Sequence, residues 1–191
     1  FEYKKVIPKG FVRFLGKLAE LNDCGIQIHI FVGNHDLWMK EYLTKEIGVI
    51  IHYKEKIIEE KGKKIFLSHG DGLGKGDYLY KFIKKIFKSK ICQWMFSKLH
   101  PNIGFWLAHK WSAKSRSKNE KTFISEDKET LLTYCKEQQK INPIDYYILG
   151  HRHVPLEIRI DKRAKYINLG EWINSNSYAV LEQGDVKLKK Y

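Results

Sequence analysis

"FVGNHDLW", Phe31–Trp38, is the stretch on which the reading of this chain turns. An apolar run from Ile26 to Val32 stops at Gly33, and an amide, an imidazole and a carboxylate follow at once: Asn34, His35 and Asp36. Alternating and continuous apolar residues ending on a glycine read as a strand and its turn. Two other places repeat the pattern. The run Ile65 to Leu67 leads into Ser68-His69-Gly70-Asp71, and "DYYILG" leads into His151-Arg152-His153. In layered α/β folds, ligands gather outside the carboxyl ends of strands. The three polar clusters are therefore expected to converge on one site.

The 191 residues suffice for one domain with a real core. A hydrophobic content of 43% with 14% aromatics excludes disorder. The longest apolar runs fall far short of the roughly 20 residues of a membrane span, and no signal peptide is visible. The first residue is Phe1 rather than Met, so the native start is expected to lie upstream. Cys24, Cys92 and Cys135 are odd in number and lack C-x-x-C spacing, which predicts reduced, mostly buried thiols in a cytoplasmic protein. The net charge is +13, and its placement matters more than its size. From Lys75 to Lys121 there are twelve Lys/Arg against two acids, Asp77 and Glu120. A basic block of this kind suits phosphates, acidic lipid or nucleic acid.

Helical spacing of Phe11, Phe14, Leu15, Leu18 and Ala19 predicts a helix stopped near Gly25. Two strands are expected around a polar turn at Lys61 to Lys63. Leu79, Phe82, Ile83, Ile86 and Phe87 form one face of a basic amphipathic helix, with lysines at 81, 84, 85 and 88 on the others. Two further helical pieces, separated by Pro101 and Gly104, are expected after it. A helix capped by Ser125 follows, then strands at "DYYILG" and "KYINLG" and a closing hairpin in "SYAVLEQGDVKLKKY". Each polar cluster alone admits a structural reading, since a histidine at a strand end is commonly just hydrogen-bonded and "HGDG" suits a tight turn. Imidazoles and an Asn carbonyl are ligands for Mn, Fe, Zn or Ni. With carboxylates they could hold two divalent ions roughly 3.5–4 Å apart, which activate a water and clamp a phosphoryl group.

Gly-Asn-His-Asp, a later strand ending in His, and then Gly-His-x-His together resemble the later half of the calcineurin-like metallophosphoesterase signature. The resemblance implies a four-layer α/β/β/α sandwich, here lacking its first strands. It implies Asn34, His69 and His151 as ligands of one metal and His153 as a ligand of the other. His35 would act on the phosphoryl group and Asp36 would orient it. The family's Asp-x-His and Gly-Asp-x-x-Asp motifs do not occur before "GNHD". The sequence is therefore read as N-terminally incomplete, with the bridging carboxylate among the missing ligands.

"HGDGLGKGDYLYKF", a basic helical insertion and "YINLGEWI" further resemble the UDP-2,3-diacylglucosamine diphosphatases, in their Bacteroidetes-type form. This resemblance implies hydrolysis of a lipid nucleotide's pyrophosphate to UMP and 2,3-diacylglucosamine 1-phosphate (lipid X), in lipid A biosynthesis. It implies two divalent ions, with Mn²⁺ expected, and a cytoplasmic enzyme peripheral on the inner membrane. Residues 1–76 and 122–191 would form the catalytic domain, and 77–121 a helical lid over an acyl-chain chamber. The stripe from Leu79 to Phe87, with Trp94, Phe96, Phe105 and Trp106, could line acyl chains, and the lysines suit phosphates and an anionic surface. Candidate substrate contacts are Asp77, Tyr78, Ser112, Ser115, Arg116, Lys121 and Arg152, with Asp71 either supporting the metal ligands or shaping a turn. Two other readings remain open: a metallophosphoesterase acting on nucleotides or nucleic acid, and a catalytically incomplete membrane-surface protein. The aromatics sit on an apolar helix face rather than interleaved with lysines, so no nucleic-acid partner is expected.

Overall fold

The structure is a computed structural model. It describes all residues except 1, 4, 8, 77 and 120–124, and only the backbone of 114–119. The fold is mixed α/β. The chain divides into two compact units, residues 1–54 with 78–116 and residues 55–77 with 117–191.

The second unit is built on a five-stranded sheet. Its strands are β3 (Lys56–Glu60), β4 (Lys63–Ser68), β5 (Tyr146–Leu149), β6 (Pro155–Arg159) and β7 (Lys165–Leu169), in the order β3-β4-β5-β7-β6. β4, β5 and β7 run parallel, and the two edge strands run antiparallel to their neighbours. Strand alternation sends Phe66, Tyr147, Leu149 and Tyr166 to one face, where Leu131, Leu132 and Cys135 of helix α5 (Thr130–Ile141) cover them. Ile65, Tyr146 and Ile167 face the other way, against Val186, Leu188, Ala179 and Leu181 of the hairpin β8–β9 (Ser177–Glu182, Asp185–Lys190). This unit is thus a helix, a sheet and a hairpin in three layers. Its central strands read as continuous apolar runs because both faces are covered.

The first unit contains α1 (Val12–Asp23) and a parallel pair, β1 (His29–Phe31) and β2 (Ile50–His52). It also holds α2 (Tyr78–Phe87), α3 (Lys90–Ser97) and α4 (Pro101–Asn119), the last of which runs past the unit boundary. Trp38, four residues past Asn34, packs on Phe87 and Phe96 with ring centroids 5.7 and 4.8 Å away, and its indole N–H donates to the Phe87 carbonyl. Phe87 also meets Trp111, and Tyr3 lies edge-on to Phe105 at 5.6 Å. The helices are therefore fastened to the loop that follows β1 through a shared aromatic cluster. Aromatic pairs of this geometry contribute about 0.5–1.5 kcal/mol each beyond their buried area.

Several expectations are corrected. The two helical pieces expected here exist as α3 and α4, but the break between them falls at residues 98–100 rather than across Pro101 to Gly104. Pro101 opens α4, where a missing N–H costs nothing, and Gly104 lies inside it because a Cβ there would overlap the Tyr3 phenol. Ser125 does not cap the following α-helix. It is extended and makes no capping hydrogen bond, residues Glu126–Lys128 form a 3₁₀ turn, and α5 begins at Thr130 behind an extended Glu129. The cysteines are free as expected but are not mostly buried: Cys24 is exposed, Cys92 half-buried, and only Cys135 is enclosed. The strand expected before Lys61 is split into β2 (Ile50–His52) and β3, and strand β6 and a π-helical turn at Leu43–Ile47 were not anticipated.

Candidate functional site

The parallel pairing of β4 with β5 sets the geometry. Ser68 is in register with Leu149, so the next residues of both strands leave the sheet at the same edge. The Gly150 N–H donates to the His69 carbonyl at 3.1 Å, extending the ladder by one step. The His69 and His151 rings then meet edge-to-face, centroids 5.4 Å apart. Gly70 has φ +104°, and a Cβ there would lie 3.2 Å from Leu131 and 3.5 Å from the His151 Cβ. The glycine thus allows the left-handed turn and the close approach of the two loops at once. His151 and His153 themselves have positive φ values of 70° and 55°. Non-glycine residues held there are uncommon and need support from their surroundings.

That support comes from two buried side chains that the sequence analysis did not single out. Asn168 in β7 is fully buried. Its amide donates to the Gly150 carbonyl at 2.6 Å and to the Tyr166 hydroxyl at 3.2 Å, while its Oδ1 accepts the Gly170 N–H at 3.1 Å. Glu129, 1% exposed, accepts a charge-assisted hydrogen bond from Arg152 Nε at 3.0 Å. Arg152, expected to face substrate phosphates, has its Nε held by this carboxylate. The signal for Asn168 was available as a lone amide within the apolar strand "KYINLG". Nothing in the sequence marked Glu129 among the other acids of "SEDKE".

The remaining candidates fall as follows. In the first unit, Asn34 is half-buried just after β1, and His35 and Asp36 are exposed in a turn closed by the Asp36 N–H on the Gly33 carbonyl at 3.1 Å. Tyr78 opens α2 and is 77% exposed, and Ser112 is half-buried in α4. Ser115 and Arg116 lie in α4, with side chains outside the description. In the second unit, His69 and His151 are half-buried, His153 is exposed and Asp71 is buried. Asp77 and Lys121 lie outside the described residues. Among the described residues, no three His, Cys, Asp or Glu side chains converge as a ligand group.

Two imidazoles at one sheet edge are a fitting donor set for a borderline divalent ion, and an adjacent amide oxygen and carboxylates would complete such a shell. The helices of the first unit supply a different surface. Leu79, Phe82, Trp94 and Trp106 are each more than 60% exposed. Lysines lie over four of the aromatics: Lys81 over Tyr78, Lys84 over Tyr80, Lys98 over Trp94 and Lys110 over Trp106, at 5.0 to 5.9 Å. A cavity of about 600 Å³ opens between α2 and α3, lined by Ile86, Ile91, Cys92, Met95, Phe96 and Leu99. Among the described residues no helix is long and apolar enough to cross a membrane.

No family model matches the chain. Among solved structures, the zinc complex of wild-type Vps29 from Entamoeba histolytica aligns with 99% of this chain and 92% of its own. Its TM-score of 0.33 and identity of 13% are too low to carry an argument. Curated sequences are far more similar. A UDP-2,3-diacylglucosamine hydrolase of Porphyromonas gingivalis is 37% identical over 94% of this chain and 74% of its own length. One from Aeromonas hydrophila is 26% identical over 91% and 73%. With identity at this level across nearly the whole chain, the chain belongs to the UDP-2,3-diacylglucosamine hydrolase family.

Proposed function

We propose that this hydrolase cleaves the pyrophosphate of UDP-2,3-diacylglucosamine, adding water across the P–O–P bond to release UMP and 2,3-diacylglucosamine 1-phosphate in lipid A biosynthesis. The observation that carries the reading is the pairing of His69 with His151 at the carboxyl ends of neighbouring parallel strands. A divalent pair, Mn²⁺ in the first instance, would be held by Asn34, His69 and His151 for one ion and His153 for the other, with carboxylates completing both shells. Bound there, the ions would supply a hydroxide nucleophile and charge neutralisation at the phosphoryl oxygens. His35 would donate a proton or hydrogen bond at the phosphoryl or leaving oxygen, with Asp36 keeping its ring oriented.

The full arrangement is read as the four-layer α/β/β/α sandwich, with residues 77–121 as a lid. The apolar cavity of α2 and α3 suits acyl chains, and the lysines and exposed tryptophans suit the anionic cytoplasmic face of the inner membrane. Asp77, Tyr78, Ser112, Ser115, Arg116 and Lys121 would contact the sugar, phosphates or uridine. The test is release of UMP from UDP-2,3-diacylglucosamine with Mn²⁺ by the full-length wild-type protein and by its His69→Ala and His151→Ala variants. Turnover by the wild type, with loss of at least 10³-fold in both variants, is expected. Generic phosphodiester turnover without UMP release would overturn the substrate.

A further inference from the structure

We infer that Glu129 is a positioning residue for the histidine loop, balancing the charge of Arg152 so that a cation can bind beside it. The inference rests on the reading that His151 and His153 hold metal. Arg152 stands between those two residues in the chain, so its guanidinium brings a fixed positive charge to a loop meant for dications. Like charges held close oppose cation binding unless an anion offsets them. Glu129 is that anion. Its Oε2 accepts from Arg152 Nε at 3.0 Å, with the two side chains 1% and 13% exposed.

The carboxylate's other features point the same way. Oε1 is buried and has no hydrogen-bond partner among the described residues. The negative charge also reaches Cys135 and Tyr166, whose thiol and phenol are pushed up first by burial and then by Glu129. A buried ion pair with an unsatisfied oxygen is a poor source of stability, and apolar side chains of the same size commonly do as well or better. Its presence at the root of the histidine loop is explained by what it does for that loop. The extended backbone of Glu129 also separates the 3₁₀ turn from α5.

The test is Mn²⁺ affinity by titration calorimetry on the wild type, E129Q, E129D, H151A and the neutral pair E129Q/R152Q, with melting temperatures measured without metal. E129Q is expected to weaken binding about 10–100-fold, the range for lost outer partners of metal ligands. The neutral pair is expected to regain at least tenfold of that loss, and E129D to stay within about threefold of the wild type. Should E129Q not fold, E129D and the neutral pair carry the comparison, and a larger loss in the charge-retaining E129D overturns the proposal. E129Q binding within twofold of the wild type, whatever its melting temperature, overturns it too, as does a neutral pair no better than E129Q. If H151A leaves Mn²⁺ affinity unchanged, the metal reading itself fails and takes this inference with it. If H151A weakens binding and E129Q does not, only the inference fails.

Discussion

Asn168→Ala removes a side chain that ties the end of β5 to the turn after β7. The amide makes three hydrogen bonds at a site with no solvent access. At about 1 kcal/mol net per bond, their loss alone costs about 3 kcal/mol. The cost of stranded partners is uneven. The Gly150 carbonyl keeps the Arg152 N–H, which donates to it at 2.8 Å, so it is not orphaned. The Gly170 N–H is buried and loses the acceptor it has here, which adds about 1–3 kcal/mol. The sum is about 4–6 kcal/mol before relaxation, so about 3–5 kcal/mol is expected. Urea unfolding followed by far-UV circular dichroism reads this as a lower midpoint at unchanged slope. Asn168→Asp separates the two halves of the argument. It keeps the acceptor for Gly170 but presents a carboxylate oxygen to the Gly150 carbonyl, so it should be at least as destabilised as the alanine variant. A loss under 1 kcal/mol for Asn168→Ala, or an Asp variant close to wild type, would refute the assignment of Asn168 as the tie between these loops.

Three further outcomes are expected. Asp145, 4% exposed in its side chain, accepts from Arg163 Nε and Nη2 at 2.7 and 3.1 Å and from the Lys64 N–H at 2.8 Å. The Arg163 guanidinium, with help from that N–H, holds its carboxyl below the usual range. Its contribution is therefore present above the ordinary Asp value near 4 and fades as pH falls below it; Asp145→Asn should cost about 2–3 kcal/mol in urea at pH 7 and clearly less at pH 2.5. Glu171 accepts N–H groups of Ile173, Asn174 and Ser175 and the Ser175 hydroxyl. Desolvation pushes its carboxyl up, but these bonds outweigh it and hold it at about 2. The stabilisation, screened by solvent to about 1 kcal/mol, is lost as pH falls from about 4.3 towards 2, and a carboxyl-carbon NMR titration with a midpoint at 4 or above would contradict it. Iodoacetamide should label exposed Cys24 readily and spare Cys135, whose thiol burial pushes up, until the chain is unfolded; mass mapping of the labelled peptides checks this.

Most of the elements could be read from the chain, and the misses have identifiable causes. The turn at Lys61-Gly62 and the strands leading to His69 and Gly150 carry local signals, apolar runs closed by glycine, and the structure places β4 and β5 there. β2 is only Ile50–His52, too short to establish a period, and exists because it pairs with β1. β6 begins on Pro155 and lies at the sheet edge, where a proline is tolerated but weakens the sequence signal. Ser125 looked like a cap because its spacing to acidic residues fits one. The helix instead starts after an extended Glu129, whose side chain is paired with Arg152, a partner 23 positions away. The site divides likewise. The histidines announced themselves by type and position. The residues that hold their loops, Asn168 and Glu129, act through contacts that exist only after folding.

The pairing of His69 with His151, 82 positions apart, follows from strand direction more than from either motif. Had β4 and β5 been antiparallel, their polar ends would have left opposite edges of the sheet, and neither glycine turn could have brought the rings together. A parallel pair needs a long crossover, and the chain supplies one in residues 69–145, which include helices α2 to α5. The helices with exposed tryptophans and lysines are thus part of the connection that makes the histidine pair possible. Shortening the crossover between α2 and α4 while keeping α5 should therefore leave the β4–β5 register and the His69–His151 contact intact. It should remove the apolar cavity between α2 and α3. A variant of that kind that keeps cooperative unfolding and His151-dependent Mn²⁺ binding, yet loses turnover of the diacylated substrate, would separate the proposed metal-binding edge from the proposed lipid-binding surface. Loss of all three together would mean that the two are one cooperative structure, and that helices α2 to α4 are part of the scaffold that positions the histidines.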